Sequence, residues 1–397
     1  MRFAGLDWAS QEHVVCVIDE QGSILKRFTV AHDEKGLTSL CKQLAEFSDL
    51  LIAIERPSGV IVDTLLEAEL RLVAVHPNIV KAARSRYRTA GKSDAGDAYV
   101  LADLLRTDGH RFAPLVPHSE GIKSLRMIVG LRKDLVATRV GLANQLRALL
   151  GEVFPGAIGI FSDIDSPIAL SFLRTFSCEA AAAKLSEKQL TRFLEKHAYS
   201  GRRSASQLLA RLRKAPRAIV SDSVSQAAAG GVLALVAVLE PLVTQIAALT
   251  AQLDLCLEEL PDAKIICSFP GSGRVTAAMI LAKLGTDRHR FETPEQFAAV
   301  AGVTPLTEAS GKHRGVKFRW ACDHQLRDAL TCLANHSRKR SPWAAAMYDR
   351  ARERGCEHPH AIRILGRAWA RVIWRCWRDG VTYDAARHGQ AAKLIAA

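Results

Sequence analysis

The chain has 397 residues, of which 48% are hydrophobic and 24% are charged. This balance is typical of globular proteins and argues against a disordered or fibrous one. Such a length predicts two or three domains. Lysine and arginine number 54 against 41 aspartate and glutamate, so the net charge is +13. This excess favours an anionic partner, with nucleic acid ahead of a membrane surface.

The cysteines and the N-terminus indicate the compartment. The nine cysteines form no CxxC pair, which favours a reduced, cytosolic environment. The N-terminal segment MRFAGLDWAS has neither the basic nor the apolar region of a signal peptide, so we expect the protein to remain in the cytoplasm. Residues 223–239 are uncharged, but we expect a buried helix there rather than a membrane span, which needs about 20 strongly apolar residues.

The first 110 residues alternate between strand and helix patterns, in the order βββαβαβα. The predicted strands cover residues 1–7, 13–19, 23–31, 49–55 and 71–75. The predicted helices cover residues 33–47, 59–70 and 94–106. The right-handed crossover rule places the fourth strand parallel to the first. Asp7 and Glu55 then end neighbouring strands at one edge of the sheet, where open α/β folds have their sites.

The remainder of the chain is predicted to be mainly helical. We expect a helical and coiled-coil region over residues 111–260, with an inserted helical segment around 151–225, and a separate domain over 261–397. A heptad seam runs through the positions Leu235, Leu239, Leu242, Ile246, Leu249, Leu253, Cys256 and Leu260. It fits packing within one domain and pairing with a partner helix about equally well. Pro241 predicts that the helix begins or kinks there.

Asp94 and Asp97, in the stretch GKSDAGDAYV, lie on one face of the last predicted helix of the first domain. Alone, this spacing fits helix capping, by Ser93 or Asp94, as well as metal binding. Together with Asp7 and Glu55 it predicts a cluster of four carboxylates. Oxygen ligands of this kind select Mg²⁺ or Mn²⁺. The GKS in the same stretch is not a P-loop, because Arg86 stands where the motif needs its first glycine.

Basic residues are concentrated in two places. Between Gly311 and Asp379 there are 16 lysines and arginines against 6 acidic residues. The first basic run precedes Asp94 and Asp97 in the sequence, and we expect it to contact nucleic acid. It consists of Lys81, Arg84, Arg86 and Arg88. In the C-terminal part we expect the same of an arginine stripe at helical spacing, made of Arg363, Arg367, Arg371, Arg375 and Arg378. Gly271 and Gly273, in PGSGRV, fit a DNA-binding hairpin between helices or a plain turn.

Three N-terminal motifs, GLDWAS, IERPSG and KSDAGDA, resemble the DEDD tetrad of the RuvC-like domain of insertion-sequence family 110 transposases. A second match lies in SFPGSGRVTAAMILAKLG and RFETPEQFAAVAGVTPLTEASGKHRG, which resemble the C-terminal transposase domain of that family. The arginine and proline after Glu55 replace the small residues that are usual there, and the middle region is longer than expected.

The resemblance implies a RuvC-like α/β domain followed by helical regions, and a prokaryotic cytoplasmic recombinase that associates with the nucleoid when it is bound to DNA. The nucleophile would be Ser310, with Lys312 and Arg314 beside it. Asp7, Glu55, Asp94 and Asp97 would bind Mg²⁺, or Mn²⁺ in its place. The partners implied are donor and target DNA, a bridge RNA encoded by the element, and further copies of the chain in a dimer or tetramer. The alternatives are a RuvC-like nuclease that uses water, and a nucleic-acid-binding protein without catalysis.

Overall fold

The computed structural model describes residues 1–86, 93–310 and 313–387, apart from the side chains of Ser310, His313 and Arg314. Arg88 and Lys312, two of the predicted nucleic-acid contacts, therefore lie outside the described residues. The chain divides into two compact units, Met1–Ser119 and Glu120–Ala397. The boundary that the sequence predicts between residues 260 and 261 falls inside the second unit.

The first unit is built on one five-stranded sheet. Its strands are β1 (Arg2–Trp8), β2 (Glu12–Ile18), β3 (Ile24–Ala31), β4 (Leu50–Ile54) and β5 (Arg71–Ala74). Its helices are α1 (Glu34–Ala45), α2 (Val60–Glu67), α3 (Pro77–Arg84) and α4 (Asp94–Asp108). The strand order is β3-β2-β1-β4-β5, in which β1 pairs antiparallel with β2 and parallel with β4. The predicted α/β class and the parallel neighbourhood of the first and fourth strands are confirmed.

Both faces of this sheet are covered, as is usual for parallel strands joined by helical crossovers. All five residues of β4 are buried. One core forms around Leu6, Ile52 and Ile54. The other includes Leu101 and lies on the face that α4 covers.

Gly5 allows α4 to lie directly on β1. A Cβ at this position would overlap the carbonyl oxygen of Ala98 and come within 2.6 Å of the amide nitrogen of Ala102. Residues 5 and 7 of a strand point to the same face, so the Asp7 side chain lies on the face of the sheet that α4 covers.

Helix α3 was not among the predicted elements, so the order is βββαβαβαα. Its eight residues follow the His76 side chain, which accepts a hydrogen bond from the Asn78 amide, and Pro77 occupies the first turn. Proline is favoured there because its missing N–H would have no helical partner. The sequence analysis assigned the end of this helix to a basic run and predicted no helix there. Only Val80 and Ala83 of α3 are buried, so its sequence shows little apolar periodicity.

The second unit is predominantly helical, as predicted. Its longer helices are α5 (Glu120–Val153), α6 (Pro167–Thr175), α8 (Glu187–Lys196), α9 (Ala205–Lys214), α10 (Asp222–Glu259), α12 (Arg274–Leu284), α14 (His324–Ser337), α15 (Pro342–Glu353) and α16 (His358–Asp379). Short helices are α7 (Glu179–Ala183), α11 (Ala263–Cys267) and α13 (Pro294–Val300). A hairpin of β6 (Leu306–Ser310) and β7 (His313–Lys317) completes it.

The two longest helices, α5 and α10, pack against each other in opposite directions. Gly121 lies beside Leu260, and Gly231 lies beside Leu149. Between them, Arg132 Nε donates to Thr250 Oγ1 at 2.7 Å. The predicted insert, with α6 to α9, covers the far end of this pair in a shared core.

Several residues of the heptad seam on α10 pack against other parts of the same chain. Leu239, Ile246 and Leu253 are buried on that helix. The predicted start of the helix at Pro241 is wrong, because α10 continues through it. Pro241 has no N–H to donate to the carbonyl four residues earlier in the helix. Since Pro241 is exposed, water can donate to that carbonyl instead.

Helix α10 is long and apolar enough to cross a membrane, judged by length and composition alone. Only 22% of its most apolar 18-residue stretch is buried. The expectation of a buried helix is therefore wrong for most of this stretch, because α5 covers only one side of it.

The C-terminal helices share a second core centred on the tryptophans of α16. Trp369 and Trp377 are fully buried. Their indole N–H groups donate to Ser337 Oγ at 2.8 Å and to the Gly285 carbonyl at 3.1 Å. Satisfied indoles allow such large side chains to be buried without an unpaired donor. The apolar face predicted for this helix, with Ile362 and Leu365, is confirmed.

Candidate carboxylate site and nucleic-acid surface

The two strand-end carboxylates lie side by side. Leu6 of β1 pairs with Ile54 of β4 in parallel register. Asp7 and Glu55 are the next residue on each strand, so they leave the sheet at neighbouring positions. The predicted meeting of these two carboxylates therefore follows from the observed register.

The other two carboxylates come from the first turn of α4, which follows Ser93. The Ser93 side chain caps this helix by accepting from the Gly96 amide, so of the two residues considered for this role, Ser93 provides the cap. Asp94 and Asp97 both lie in the first turn, where the positive end of the helix stabilises negative charge. Asp97 is 5% exposed.

The other three carboxylates are close enough to Asp7 to influence its ionisation. Burial, together with the negative charges of Asp97, Asp94 and Glu55 and against an opposing effect of Arg84, raises the pKa of Asp7 from 3.8 to about 6. A cluster of this kind is stabilised by a cation, because each carboxylate otherwise faces like charge.

Arg84, at the end of α3, holds Asp97 in a two-pronged ion pair. Arg84 Nε lies 2.5 Å from Asp97 Oδ1, and Arg84 Nη2 lies 2.6 Å from Oδ2. The side chains are 33% and 7% exposed, respectively. The sequence predicted that Arg84 contacts nucleic acid, whereas its guanidinium is directed into the carboxylate cluster. Arg86, from the same basic run, lies 3.6 Å from Asp108 and is 58% exposed.

The chemistry of this donor set suits a hard divalent cation, since all four side chains offer only oxygen. Within residues 1–86, 93–310 and 313–387, no three His, Cys, Asp or Glu side chains are arranged to hold one ion. Both oxygens of Asp97 are bonded to Arg84. Metal binding through three or more of the acids therefore requires their side chains to move together.

The raised pKa of Asp7 predicts a pH-dependent gain in stability on Asp7→Asn. In the metal-free protein the folded-state pKa lies above the unfolded one. Asp7 therefore lowers the free energy of unfolding increasingly as the pH rises through 4 to 6, and fully above about 7. Discounted for solvent screening, the gain from Asp7→Asn should be about 1–2 kcal/mol at pH 8 and smaller at pH 4.5. Hydrogen exchange of the β1 amides in EDTA measures it, with Glu67→Gln as the unchanged control.

Removing the partner of Asp97 should destabilise the first unit strongly. Arg84→Leu leaves a buried carboxylate unpaired beside three others, which should lower the free energy of unfolding by about 3 kcal/mol. Arg86→Leu breaks only an exposed pair and should change it by less than about 0.5 kcal/mol. Hydrogen exchange of the α4 amides compares the two variants. Equal small losses would mean that the Arg84–Asp97 pair contributes little.

An aromatic and cationic cluster adjoins the carboxylates. The Arg56 guanidinium lies 4.4 Å from the centre of the Trp8 ring. Arg56 follows Glu55 in the chain and Trp8 follows Asp7, so this contact lies next to both carboxylates. Trp8 also stacks on the fully buried His13, whose Nε2 lies 2.8 Å from His32 Nδ1. Burial and His32 lower the pKa of His13, which favours the neutral form of that imidazole.

The predicted nucleophile lies on the hairpin of the second unit. Ser310 is the last residue of β6 and pairs with His313, the first residue of β7. The roles of Ser310 and Arg314 remain predictions, because their side chains lie outside the description.

Gly271 and Gly273 lie in the connection between α11 and α12, which fits both predicted alternatives, a DNA-binding hairpin and a plain turn. Gly271 has a φ of +83°, and a Cβ there would come within 2.8 Å of the His336 backbone. Glycine is thus required at 271 for packing against α14. Gly273 is the N-cap of α12 and has open space around its Cβ position. Binding of phosphate here remains a prediction.

The arginine stripe on α16 divides into two groups. Arg371 lies 2.9 Å from Glu295, and Arg375 lies 2.7 Å from Asp379. Arg378 donates to the Glu292 carbonyl at 2.9 Å and stacks on Trp374. Arg363 and Arg367 instead line a cavity beside the hairpin. The mutual repulsion expected of five unpaired arginines is therefore reduced by partners within the chain.

Several functional features escaped sequence reasoning. The pairing of Arg84 with Asp97 crosses residues 87–92, and nothing in the spacing indicates it. The Trp8–Arg56 stack joins residues from two separate strands. Gly5 carried the clearest signal, because a glycine inside a buried strand marks the close approach of another backbone.

Two family models match the chain at both ends. Residues 4–155 match a DEDD transposase model of IS110 elements. Residues 263–349 match the transposase family of IS116, IS110 and IS902. The chain is 32% identical to the mini-circle protein of IS117 from Streptomyces coelicolor, over 97% of this chain and 96% of the relative. It is 29% identical to the 42 kDa protein of insertion element IS900 from Mycobacterium paratuberculosis, over 98% of this chain and 99% of that relative. Identity to the 43.6 kDa protein of IS110 from Streptomyces coelicolor is 27%, over 96% and 95%.

Proposed function

Because this chain belongs to the IS110 family of insertion-sequence transposases, enzymes that cut and transfer DNA strands, we propose that it does so through a covalent phosphoserine link. The proposal rests first on the carboxylate cluster of the first unit. Asp7 and Glu55 are brought together by the β1–β4 register. Burial, together with repulsion from the other three acids, raises the pKa of Asp7.

Asp7, Glu55, Asp94 and Asp97 would hold Mg²⁺ or Mn²⁺. When bound, such an ion polarises the scissile phosphate and stabilises the charge that develops on it. The protein supplies the fixed positions of the acids, since strand register and a capped helix end hold them. Arg84, released from Asp97 in that state, would be close enough to the acids to contact a DNA phosphate.

Ser310 would attack the phosphorus through its Oγ. A bond forms between Oγ and phosphorus, the bond to the leaving DNA oxygen breaks, and that oxygen takes a proton. The reverse reaction, with a DNA hydroxyl from another strand, reseals the backbone and frees the serine. The phosphodiester energy is conserved in the link, so no nucleotide hydrolysis is needed. This agrees with the failure of the P-loop pattern at Arg86.

A bridge RNA from the element would pair with donor and target DNA and so select the sites. The basic surface favours such polyanionic partners, since the chain carries +13 overall. The residues proposed to contact DNA or RNA include Lys81, Arg363 and Arg367.

Assembly into a dimer or tetramer is proposed through the α5–α10 pair. Its outer face exposes several large apolar side chains, whose exposed fractions are 52% for Leu131, 48% for Val140 and 53% for Val238. Exposed apolar faces of this kind mark protein interfaces. Light scattering that finds a monomer with and without nucleic acid would contradict the assembly.

A second candidate is a RuvC-like nuclease in which water replaces the serine. One observation favours it: all four acids of the cluster belong to the first unit, Met1–Ser119, which has its own core. Water activated at the carboxylate site would cut DNA and leave no protein attached.

The test supplies the full-length protein with Mg²⁺, donor and target DNA, and RNA transcribed from the noncoding flank of the element. The proposed function predicts labelled DNA that stays attached to protein in denaturing gels, and recombinant products that require the RNA. Cut DNA without attached protein would support the nuclease. Adducts and products that form equally well without RNA would contradict the guide.

A further inference from the structure

A cavity beside the β6–β7 hairpin is the strongest unassigned site in the described part of the chain. It has a volume of about 410 Å³ and lies between β7, residues 302–305 and α16. This volume is within the range of small-molecule sites, about 300–1,000 Å³. The cavity belongs to the same hairpin that carries Ser310.

The charge of the cavity is entirely positive. Its described lining includes Lys317, Arg319, Arg363 and Arg367 but no aspartate or glutamate. Lys317 pairs with Glu308 at 2.6 Å, and Arg319 Nε donates to the Thr304 carbonyl at 3.1 Å. Within residues 93–310 and 313–387, no ion pair joins Arg363 or Arg367 to an acidic side chain. Two arginines one helical turn apart repel each other unless an anion lies between them.

Apart from Thr304 and His360, the rest of the lining is apolar or aromatic. Val303, Pro305 and Ile364 contribute to it. The Arg363 guanidinium lies over the Phe318 ring, 5.0 Å from its centre. An arginine plane held in this way is a platform on which a nucleobase can stack. A site for phosphate alone would not need this apolar wall.

Thr304 supplies a polar group without a partner. Its Oγ1 is buried and forms no hydrogen bond within the described residues, and the residue lines the cavity. A buried hydroxyl without a partner is destabilising by about 1–3 kcal/mol. A ligand with donors and acceptors on one edge would satisfy it.

We propose that this cavity binds a single nucleotide turned out of the nucleic-acid strand that passes the hairpin. Its phosphate lies between Arg363 and Arg367, its base lies against the Arg363 plane and Ile364, and Thr304 bonds the base edge. A nucleotide that enters a pocket in this way must leave its stack and its base pair, which costs least in an unpaired segment, so we place the nucleotide in such a segment. This inference rests on the proposed function for the presence of the strand, but not on Ser310 as nucleophile.

The experiment measures binding of fluorescent twelve-nucleotide strands to the full-length Ser310→Ala protein, which cannot form the proposed link. The strands are oligothymidine, oligouridine and an abasic strand with the same phosphates. Oligothymidine or oligouridine should bind about tenfold more tightly than the abasic strand. Whichever of the two binds more tightly identifies DNA or RNA as the source.

Variants locate the preference. Ile364→Trp fills the cavity and should remove the preference for base-bearing strands over the abasic strand. Arg363→Gln and Arg367→Gln should each weaken all strands, whereas Arg371→Gln, on the same helix but paired with Glu295, should change little. If Ile364→Trp fails to fold, Thr304→Val replaces it as the test. This substitution should by itself reduce the preference for base-bearing strands over the abasic strand.

Three results would overturn the proposal. Equal affinity for abasic and base-bearing strands would mean that the cavity holds backbone phosphate only. A preference that survives Ile364→Trp but is lost in Trp320→Ala would place the stacking on that exposed tryptophan. Failure to bind any strand would overturn the proposed function as well, whereas equal affinities in Ser310→Ala together with normal adduct formation by the unsubstituted protein would overturn only the cavity.

Discussion

Ser310→Ala should eliminate the protein–DNA adduct and reduce strand transfer about 10⁵-fold, the scale expected when a covalent nucleophile is removed. Alanine lacks the oxygen that would bond phosphorus, and no step can then conserve the phosphodiester energy. The measurement is single-turnover transfer with labelled donor DNA, guide RNA and Mg²⁺, with adducts resolved on denaturing gels.

Thr307→Ala is the matched control, since this exposed residue lies on the same strand of the hairpin. It should retain adducts and transfer. If Ser310→Ala removes adducts but leaves cleavage, water is the nucleophile and the chain is a RuvC-like nuclease. Persistence of the adduct in Ser310→Ala would exclude this serine as the attachment point.

The second large effect is expected at Asp7. Asp7→Asn removes one anionic ligand of the proposed ion and should reduce strand cleavage about 10³-fold, typical of losing a major electrostatic contribution to the transition state. The same change is predicted to stabilise the metal-free fold, because it removes repulsion from Asp94, Asp97 and Glu55. Activity and stability should therefore change in opposite directions.

This opposition separates a role in catalysis from a role in folding. The test combines cleavage rates over a Mg²⁺ titration with hydrogen exchange of the β1 amides. Glu67→Gln, an exposed acid of the same unit, should alter neither. A variant Asp7→Asn that cuts DNA at the normal rate would show that the chemistry does not depend on this carboxylate.

The sequence predicted the N-terminal fold well where a topological rule applied. The crossover rule placed the fourth strand beside the first, and this alone brought Asp7 and Glu55 together. It missed α3 because a short helix with only two buried residues has almost no periodic signal. The partner of Asp97 was missed for a related reason, since Arg84 reaches it from the end of that helix.

Prediction was less successful where a charged or apolar pattern can be satisfied either within the chain or by a partner molecule. The stripe on α16 was assigned as a whole to nucleic acid, whereas Arg371 and Arg375 have acidic partners. Glu295 lies far away in the chain, so helical spacing cannot reveal it. The seam on α10 indicated a packed helix correctly, but it did not identify α5 as the neighbour.

Gly5 has no functional group, yet it sets the distance at which the acids meet. Even a methyl group at this position would overlap the Ala98 carbonyl, so α4 would have to move outward by about 1 Å, a displacement that can reduce catalysis 10²-fold. Asp94 and Asp97 would move with it. The position is thus closed to every other amino acid for reasons of reactivity as well as packing, and inactive copies of the element could arise from a single nucleotide change in a codon remote from any reacting atom.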